Sequence, residues 1–253
     1  MNNNLELANF ITSFGSMNDY KSTILQTKRA LDLNDDSKLK KASDIDILKD
    51  ALDGIKAAKK FGFSSEGIIE INKAFVHSKT EDPKFPGHLR TSKYYNPDDK
   101  IVIITDPNGT TENAYYAPDN VFIEDLNEIV NNFNESSQSN KEAWRVFARI
   151  SKLQPFQDGN KRTALIAANA AENTWHDKNY LVLPFNNIDH AYFMLSLMKF
   201  YKANSKEEEE SALAKMVDAV PSEKEIRLHL SEINQNKEDK SPNDLKTRRV
   251  KFF

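Results

Sequence analysis

The chain has no cysteine, which at once removes disulfide bridges, thiolate metal sites and a cysteine nucleophile. Only seven of its 253 residues are glycine, so collagen-like repeats and glycine-rich linkers are excluded as well. No run approaches the ~18 apolar residues of a membrane-spanning helix. The opening residues Met1–Phe10 lack the basic and apolar regions of a secretory signal. Neither sign of charge dominates: 35 Lys and Arg against 38 Asp and Glu leave −3, which makes nucleic acid an unlikely partner. No internal repeat is found. These absences lead us to expect a soluble cytoplasmic protein that engages no membrane.

What is present is apolar residues at helical spacing. They amount to 39% of the chain, enough for one large core. Leu5, Ala8 and Ile11 mark a first helix; Ile45, Leu48, Leu52 and Ile55 mark a second, over 44–58, with Ser43 as its expected N-cap. Ser64 is expected to cap a helix bearing Ile68, Ile71 and Phe75. Leu126, Ile129, Val130 and Phe133 form the next stripe. Ser139 and Glu142 make a capping box ahead of Ala143, Val146, Phe147, Ile150 and Leu153. An alanine-rich helix should run from Arg162 to about Thr174, followed by helices over 188–202, 206–219 and 222–234.

One stretch departs from this period. Residues 83–118 hold five of the nine prolines and the β-rich run Ile101-Val102-Ile103-Ile104, followed by the turn signal Asp106-Pro107-Asn108-Gly109. The reading is a hairpin of strands 101–105 and 113–117, one face on the helical body and the other open to a partner. The expected fold is therefore all-α with a small β-hairpin flap. Residues 236–253 read as a polar, mobile tail.

The chemistry lies in Leu153-Gln154-Pro155-Phe156-Gln157-Asp158-Gly159-Asn160-Lys161-Arg162-Thr163, a polar loop between two strong helices. Free N–H groups at a helix N-terminus bind anions, and Lys161 and Arg162 stand where acidic residues are normally favoured. Asp158 beside them is a hard oxygen ligand of the kind that holds Mg²⁺ together with substrate phosphates. On residue chemistry alone the segment is either a nucleotide-phosphate site or an ordinary interhelical loop whose Asp and Asn cap the next helix.

The same segment closely resembles the signature of the Fic/Doc (Fido) family, His-Pro-Phe-x-Asp-Gly-Asn-Gly-Arg-x-x-Arg, with Asn160-Lys161-Arg162-Thr163 resembling the Doc branch. Pro86-Gly87-His88-Leu89-Arg90 is similar to the family's Pro-Gly-x-x-Arg stretch ahead of its flap. The resemblance implies a core over 64–203, an N-terminal helical extension over 1–63 and C-terminal helices over 204–235. It also implies a Mg²⁺-nucleotide such as ATP in the loop. AMP, or a phosphoryl group as in Doc, would pass to a hydroxyl of a target protein. Carried over by residue, Asp158 would hold Mg²⁺, Gly159, Asn160 and Lys161 would cradle the nucleotide phosphates, and Arg162 would pair with a terminal phosphate. Phe156 would anchor the loop. Leu165, Ala168 and Asn169 would lie on the helix behind it. Ile101, Val102, Ile103 and Ile104 would form the target-docking flap.

Three positions depart from that signature. Gln154 replaces the histidine general base, and a carboxamide has no useful basicity, so it could only orient a hydroxyl or water. None of the five histidines is an obvious substitute, His88 being the least remote because it stands by the flap. Lys161 replaces a glycine and would fill part of the phosphate hollow. Leu165 replaces a second arginine. The family's inhibitory helix has its best counterpart in Thr12–Asn18, with Ser16 where a glutamate belongs. The expectation is an adenylyltransferase-like transferase with a degenerate motif. The alternatives are a catalytically inactive binding module and a Doc-like phosphotransferase toxin partnered by an antitoxin or regulatory protein.

Overall fold

The computed structural model describes residues 4–78, 86–91, 101–103 and 114–236. The architecture is helical with one two-stranded sheet. Helices α1 (Leu5–Ser16), α2 (Ile24–Leu33), α3 (Ala42–Phe61) and α4 (Ser65–Lys73) precede strands β1 (Val102–Ile103) and β2 (Tyr115–Tyr116). Then follow α5 (Ile123–Asn134), α6 (Asn140–Leu153), α7 (Asn160–Ala171), the short α8 (Thr174–Asp177), α9 (Asn187–Lys202), α10 (Lys206–Ala219) and α11 (Glu223–Asn236). Among the described residues no helix is long and apolar enough to cross a membrane.

The expected helices are present, with corrections at their ends. Ser64 caps α4 as expected, its Oγ accepting from the Gly67 N–H at 2.9 Å. Ser43 does not cap α3, because the helix begins two residues earlier than expected, at Ala42, and Lys41 is the N-cap. Ser139 stands at the N-cap of α6 but makes no side-chain cap. The alanine-rich helix starts earlier than expected, at Asn160, and ends at Ala171; Thr174 opens α8 instead. The helix missed altogether is α2. Its signal is a capping box, in which Thr23 Oγ1 accepts from the Gln26 N–H and Gln26 Oε1 from the Thr23 N–H. Its apolar content is too low to stand out, with only Ile24, Thr27 and Ala30 buried.

α7 is the centre of the molecule. Ala164, Leu165, Ile166, Ala167 and Ala168 are all fully buried, and α6, α4 and α3 pack around them. Alanine suits a helix enclosed on every side, since small side chains let neighbouring backbones approach. Gly54 of α3 is such an approach: a Cβ there would lie 2.7 Å from Ile166 Cδ1. Edge-to-face rings fill the spaces farther out, Trp144 against Phe147 and Phe193 on one side and Phe14 against Phe75 on the other. One continuous core runs from Phe10 to Ala219, so the N-terminal helices share it with the rest. Asn169, the polar residue in this helix, is satisfied: Nδ2 donates to the Leu165 and Leu181 carbonyls, and Oδ1 accepts from the Leu181 N–H and the Thr174 hydroxyl.

The hairpin is antiparallel, pairing Val102 with Tyr116 and Ile103 with Tyr115. Its inner face carries Ile103 and Tyr115 against the core, with the Tyr115 hydroxyl donating to the Lys152 carbonyl at 2.9 Å. Its outer face carries Val102 and Tyr116, 38% and 60% exposed. One face inward and one outward is the arrangement expected. Ile104, the turn at 106–109 and the tail beyond 236 lie outside the described residues.

Candidate functional site

The loop between α6 and α7 is shaped by two left-handed residues. Gln154 takes φ 50° and ψ 59° as the C-cap of α6, and Pro155 after it cannot continue the helix. Gly159 takes φ 74° as the N-cap of α7. A Cβ at Gly159 would meet Phe75 at 3.0 Å and the Asn72 amide at 3.1 Å, so glycine is required by both conformation and space. Phe156 is buried between them, as an anchor should be.

Gln154 and Asn160 hold the loop closed. Asn160 Oδ1 accepts from the Phe156 N–H at 2.9 Å, while its Nδ2 donates to the Phe156 carbonyl at 2.9 Å and to Gln154 Oε1 at 3.0 Å. The Gln154 amide in turn donates to the Ser151 carbonyl at 2.6 Å. Both ends of the Gln154 carboxamide are thus engaged within the protein. The Asn160 side chain is likewise used by the loop, which leaves its backbone N–H for a ligand.

Two supporting residues were not singled out as site residues from the sequence. Arg90, fully buried, donates through Nε to the Gln154 carbonyl at 2.6 Å and through Nη2 to the Leu153 carbonyl at 3.2 Å. It satisfies the orphan carbonyls at the end of α6. Asn72 of α4 donates to the Asp158 carbonyl at 2.9 Å and to Thr163 Oγ1 at 3.1 Å, and accepts from the Gly87 N–H at 2.7 Å. It joins the loop, α7 and the Pro86-Gly87 stretch. The available signal was an asparagine next to Ile71 on the buried face of a short helix.

At the start of α7 no side chain caps the helix and no acidic residue occupies the first turn. The Asp158 carboxylate bends back to accept from the Gly159 N–H. Lys161 is partly buried, and that burial lowers its pKa against the opposing pull of Asp158. The first-turn N–H groups and the Lys161 ammonium make this end of α7 electropositive. His190 of α9 is close enough for Lys161 to act on it: burial first, and then the lysine charge, lower the His190 pKa and favour its neutral form. His88, by contrast, is exposed.

Arg162 is placed differently from its neighbours. Its guanidinium is buried, 4.9 Å from the centre of the Phe75 ring and 3.7 Å from Asp50 Oδ2 on α3. The Phe14 ring lies 5.9 Å away. It is Phe14 of α1 that reaches this arginine, whereas Ser16 is exposed and bonds the Ser13 carbonyl at 2.7 Å. Leu165 is fully buried. The structure therefore brings Gln154, Asp158, Gly159, Asn160 and Lys161 together in one loop and directs Arg162 into the helical body.

Among the described residues no group of three or more acidic or histidine side chains could hold a metal ion. A Mg²⁺ at this loop fits only as Mg²⁺ usually binds phosphates, through one carboxylate, here Asp158, with the remaining ligands from the nucleotide and water.

A helical body, a central buried helix with an uncapped N-terminus and a hairpin beside it define a Fic-type fold. Residues 62–171 match the sequence model of the Fic/DOC family. Two solved structures of Fic-1 from C. elegans superpose with TM-scores of 0.58 and 0.59 at 16% identity, covering 91% and 93% of this chain. The chain spans 64% and 65% of their lengths. A Fic domain containing signaling protein from Bacteroides thetaiotaomicron superposes with a TM-score of 0.56 at 15% identity, covering 86% of this chain and 81% of its own. No curated protein matches by sequence.

Proposed function

We propose that this is a Fic-type nucleotide-binding protein that passes a nucleotide-derived group to a hydroxyl of a protein segment laid along the flap, in the cytoplasm. The observation that carries the reading is the start of α7, where Gly159 leaves backbone N–H groups uncapped beside Lys161. An anion there would offset both the helix dipole and a basic residue otherwise out of place. Asp158 would hold Mg²⁺, which when bound neutralises phosphate charge. The backbone of Asn160 and the Lys161 ammonium would position the phosphates. Lys161 within Asn160-Lys161-Arg162-Thr163 favours phosphoryl as the group transferred, as in the Doc branch. The flap supports a docked segment through the exposed outer face of Val102 and Tyr116.

Gln154 accepts no proton, so transfer runs about 10²–10⁴ slower than with a positioned base. A second reading, a module that binds nucleotide and partner without chemistry, is favoured by the same residue. Its amide is committed to Ser151 and Asn160 rather than left for an incoming hydroxyl.

Thermal unfolding with Mg²⁺ and ATP, ADP, GTP or CTP tests binding; at a hundredfold excess over Kd, stability should rise by about 2.7 kcal/mol. Melting unchanged from the nucleotide-free protein in all four overturns the proposal. ATP labelled at the α- or the γ-phosphate then separates AMP transfer from phosphoryl transfer. Binding with neither label transferred selects the second reading.

A further inference from the structure

Residues 179–184, between α8 and α9, run like a strand with no strand beside it. The Leu181 peptide pairs with the Asn169 amide of α7: its N–H donates to Oδ1 at 2.9 Å and its C=O accepts from Nδ2 at 3.2 Å. One residue aiming both groups at one neighbour is the geometry of an extended chain. The Leu183 N–H donates to Ser13 Oγ of α1 at 2.7 Å. Side chains of α7 and α1 therefore serve one edge of the segment. In an extended chain the peptide groups of the alternate residues, Tyr180 and Val182, point to the other edge. Among the described residues these groups form no hydrogen bond, although Tyr180 is 9% and Val182 2% exposed. Buried backbone groups are paired in nearly all native structures, with protein or with ordered water.

A cavity lies along this stretch. Residues 179–182 form one wall, Asn140 and Trp144 of α6 a second, and Val220, Glu223 and Ile226 about the turn from α10 to α11 a third. Its volume is about 50 Å³, room for about three waters at roughly 15 Å³ each. Asn140 and Glu223 are exposed, which gives the cavity a polar rim. We propose that this cavity is a hydration site, whose ordered waters complete the open edge of residues 180–182. Size selects water, since a peptide strand or a drug-sized ligand needs several times this volume. Chemistry selects it too. Water both donates and accepts, as a row of N–H and C=O groups demands, and Val220 and Ile226 offer no competing hydrogen bond. The segment leads into Asn186, the N-cap of α9. Water here fastens the approach to that helix on the edge that Asn169 does not serve. The proposal is independent of any nucleotide chemistry.

A crystal structure at a resolution that shows buried waters tests the site directly. It should place ordered water about 2.7–3.2 Å from the backbone nitrogen of Tyr180 or Val182. Val220→Ile, which adds one carbon to the cavity wall, tests the energetics. In a dry cavity the added carbon fills a void and raises the urea midpoint. At a hydration site it displaces a bonded water that it cannot replace, and the midpoint falls at unchanged m-value. No density beside these two residues in a map that shows other buried waters would overturn the proposal. So would a Val220→Ile protein with a higher midpoint than the wild type.

Discussion

The guanidinium of Arg162, in the first turn of α7, stands 3.7 Å from the buried carboxylate of Asp50 on α3. Asp50 also accepts from the His77 N–H at 2.9 Å and the Ser78 hydroxyl at 2.6 Å. The pair connects the N-terminal helices to the base of the α6–α7 loop. Removing one partner of a buried pair leaves an uncompensated charge, so Asp50→Ala should cost about 3–5 kcal/mol in urea unfolding. A loss below about 1 kcal/mol, the range of exposed pairs, would show that the pair contributes little.

Gln154→Ala should destabilise the loop by about 1–3 kcal/mol, because Asn160 loses an acceptor inside a buried network. Gln154→His restores a group that can take a proton near neutral pH and should raise label transfer from ATP. If this variant and Gln154→His/Lys161→Gly both bind nucleotide yet transfer nothing, the binding-module reading stands.

Asn169→Leu conserves volume but strips partners from the buried Leu181 N–H and carbonyl. We expect a loss of about 1–3 kcal/mol for each group left unsatisfied. It should appear as a lower urea midpoint at unchanged m-value. An unchanged midpoint would mean that water replaces the amide.

The His229 ring stacks on Phe185 with centroids 4.2 Å apart, and burial lowers its pKa below the ordinary 6.5, Glu232 opposing. The unfolded chain therefore binds the proton more readily, and this contribution to stability is lost as pH falls below 6.5. His190 shifts in the same direction. Melting temperature should decline from pH 7 toward pH 5, and His229→Phe should flatten part of that decline. A decline of the same slope in the variant would assign it elsewhere.

Glu210 of α10 binds Arg145 at 2.6 Å and Lys141 at 3.0 Å on α6, and these partners hold its pKa down at about 2. Its contribution is complete above the ordinary 4.5 and is lost as pH falls toward 2. The side chain is about half exposed, so Glu210→Gln should cost no more than about 1 kcal/mol, and less in high salt. A larger, salt-independent loss would contradict a solvent-screened pair.

Most of the helices could be read from the sequence because their apolar residues recur at 3.6-residue spacing. The loop was legible for a different reason: basic residues directly after Asn160 contradict helix-start preference, and local chemistry alone exposes that conflict. α2 escaped because its marker is a reciprocal pair of polar side chains and not an apolar stripe. Tertiary structure decided what each polar residue of the site does. Asn160 and Gln154 are six residues apart, and nothing in their spacing shows that their amides lock together. Arg162 sits in the same turn as Lys161, yet one helical step of about 100° turns it toward Asp50 and Phe75 instead of the open end of α7. Asn72, Arg90 and Asp50 come from distant segments, and only the packing of α3, α4 and the Pro86-Gly87 stretch around α7 brings them to the loop. The sequence determined which helices form and where an anion would be welcome. Which side chains remain free to meet that anion was settled by long-range packing, because a buried polar group must find its partners wherever the fold places them.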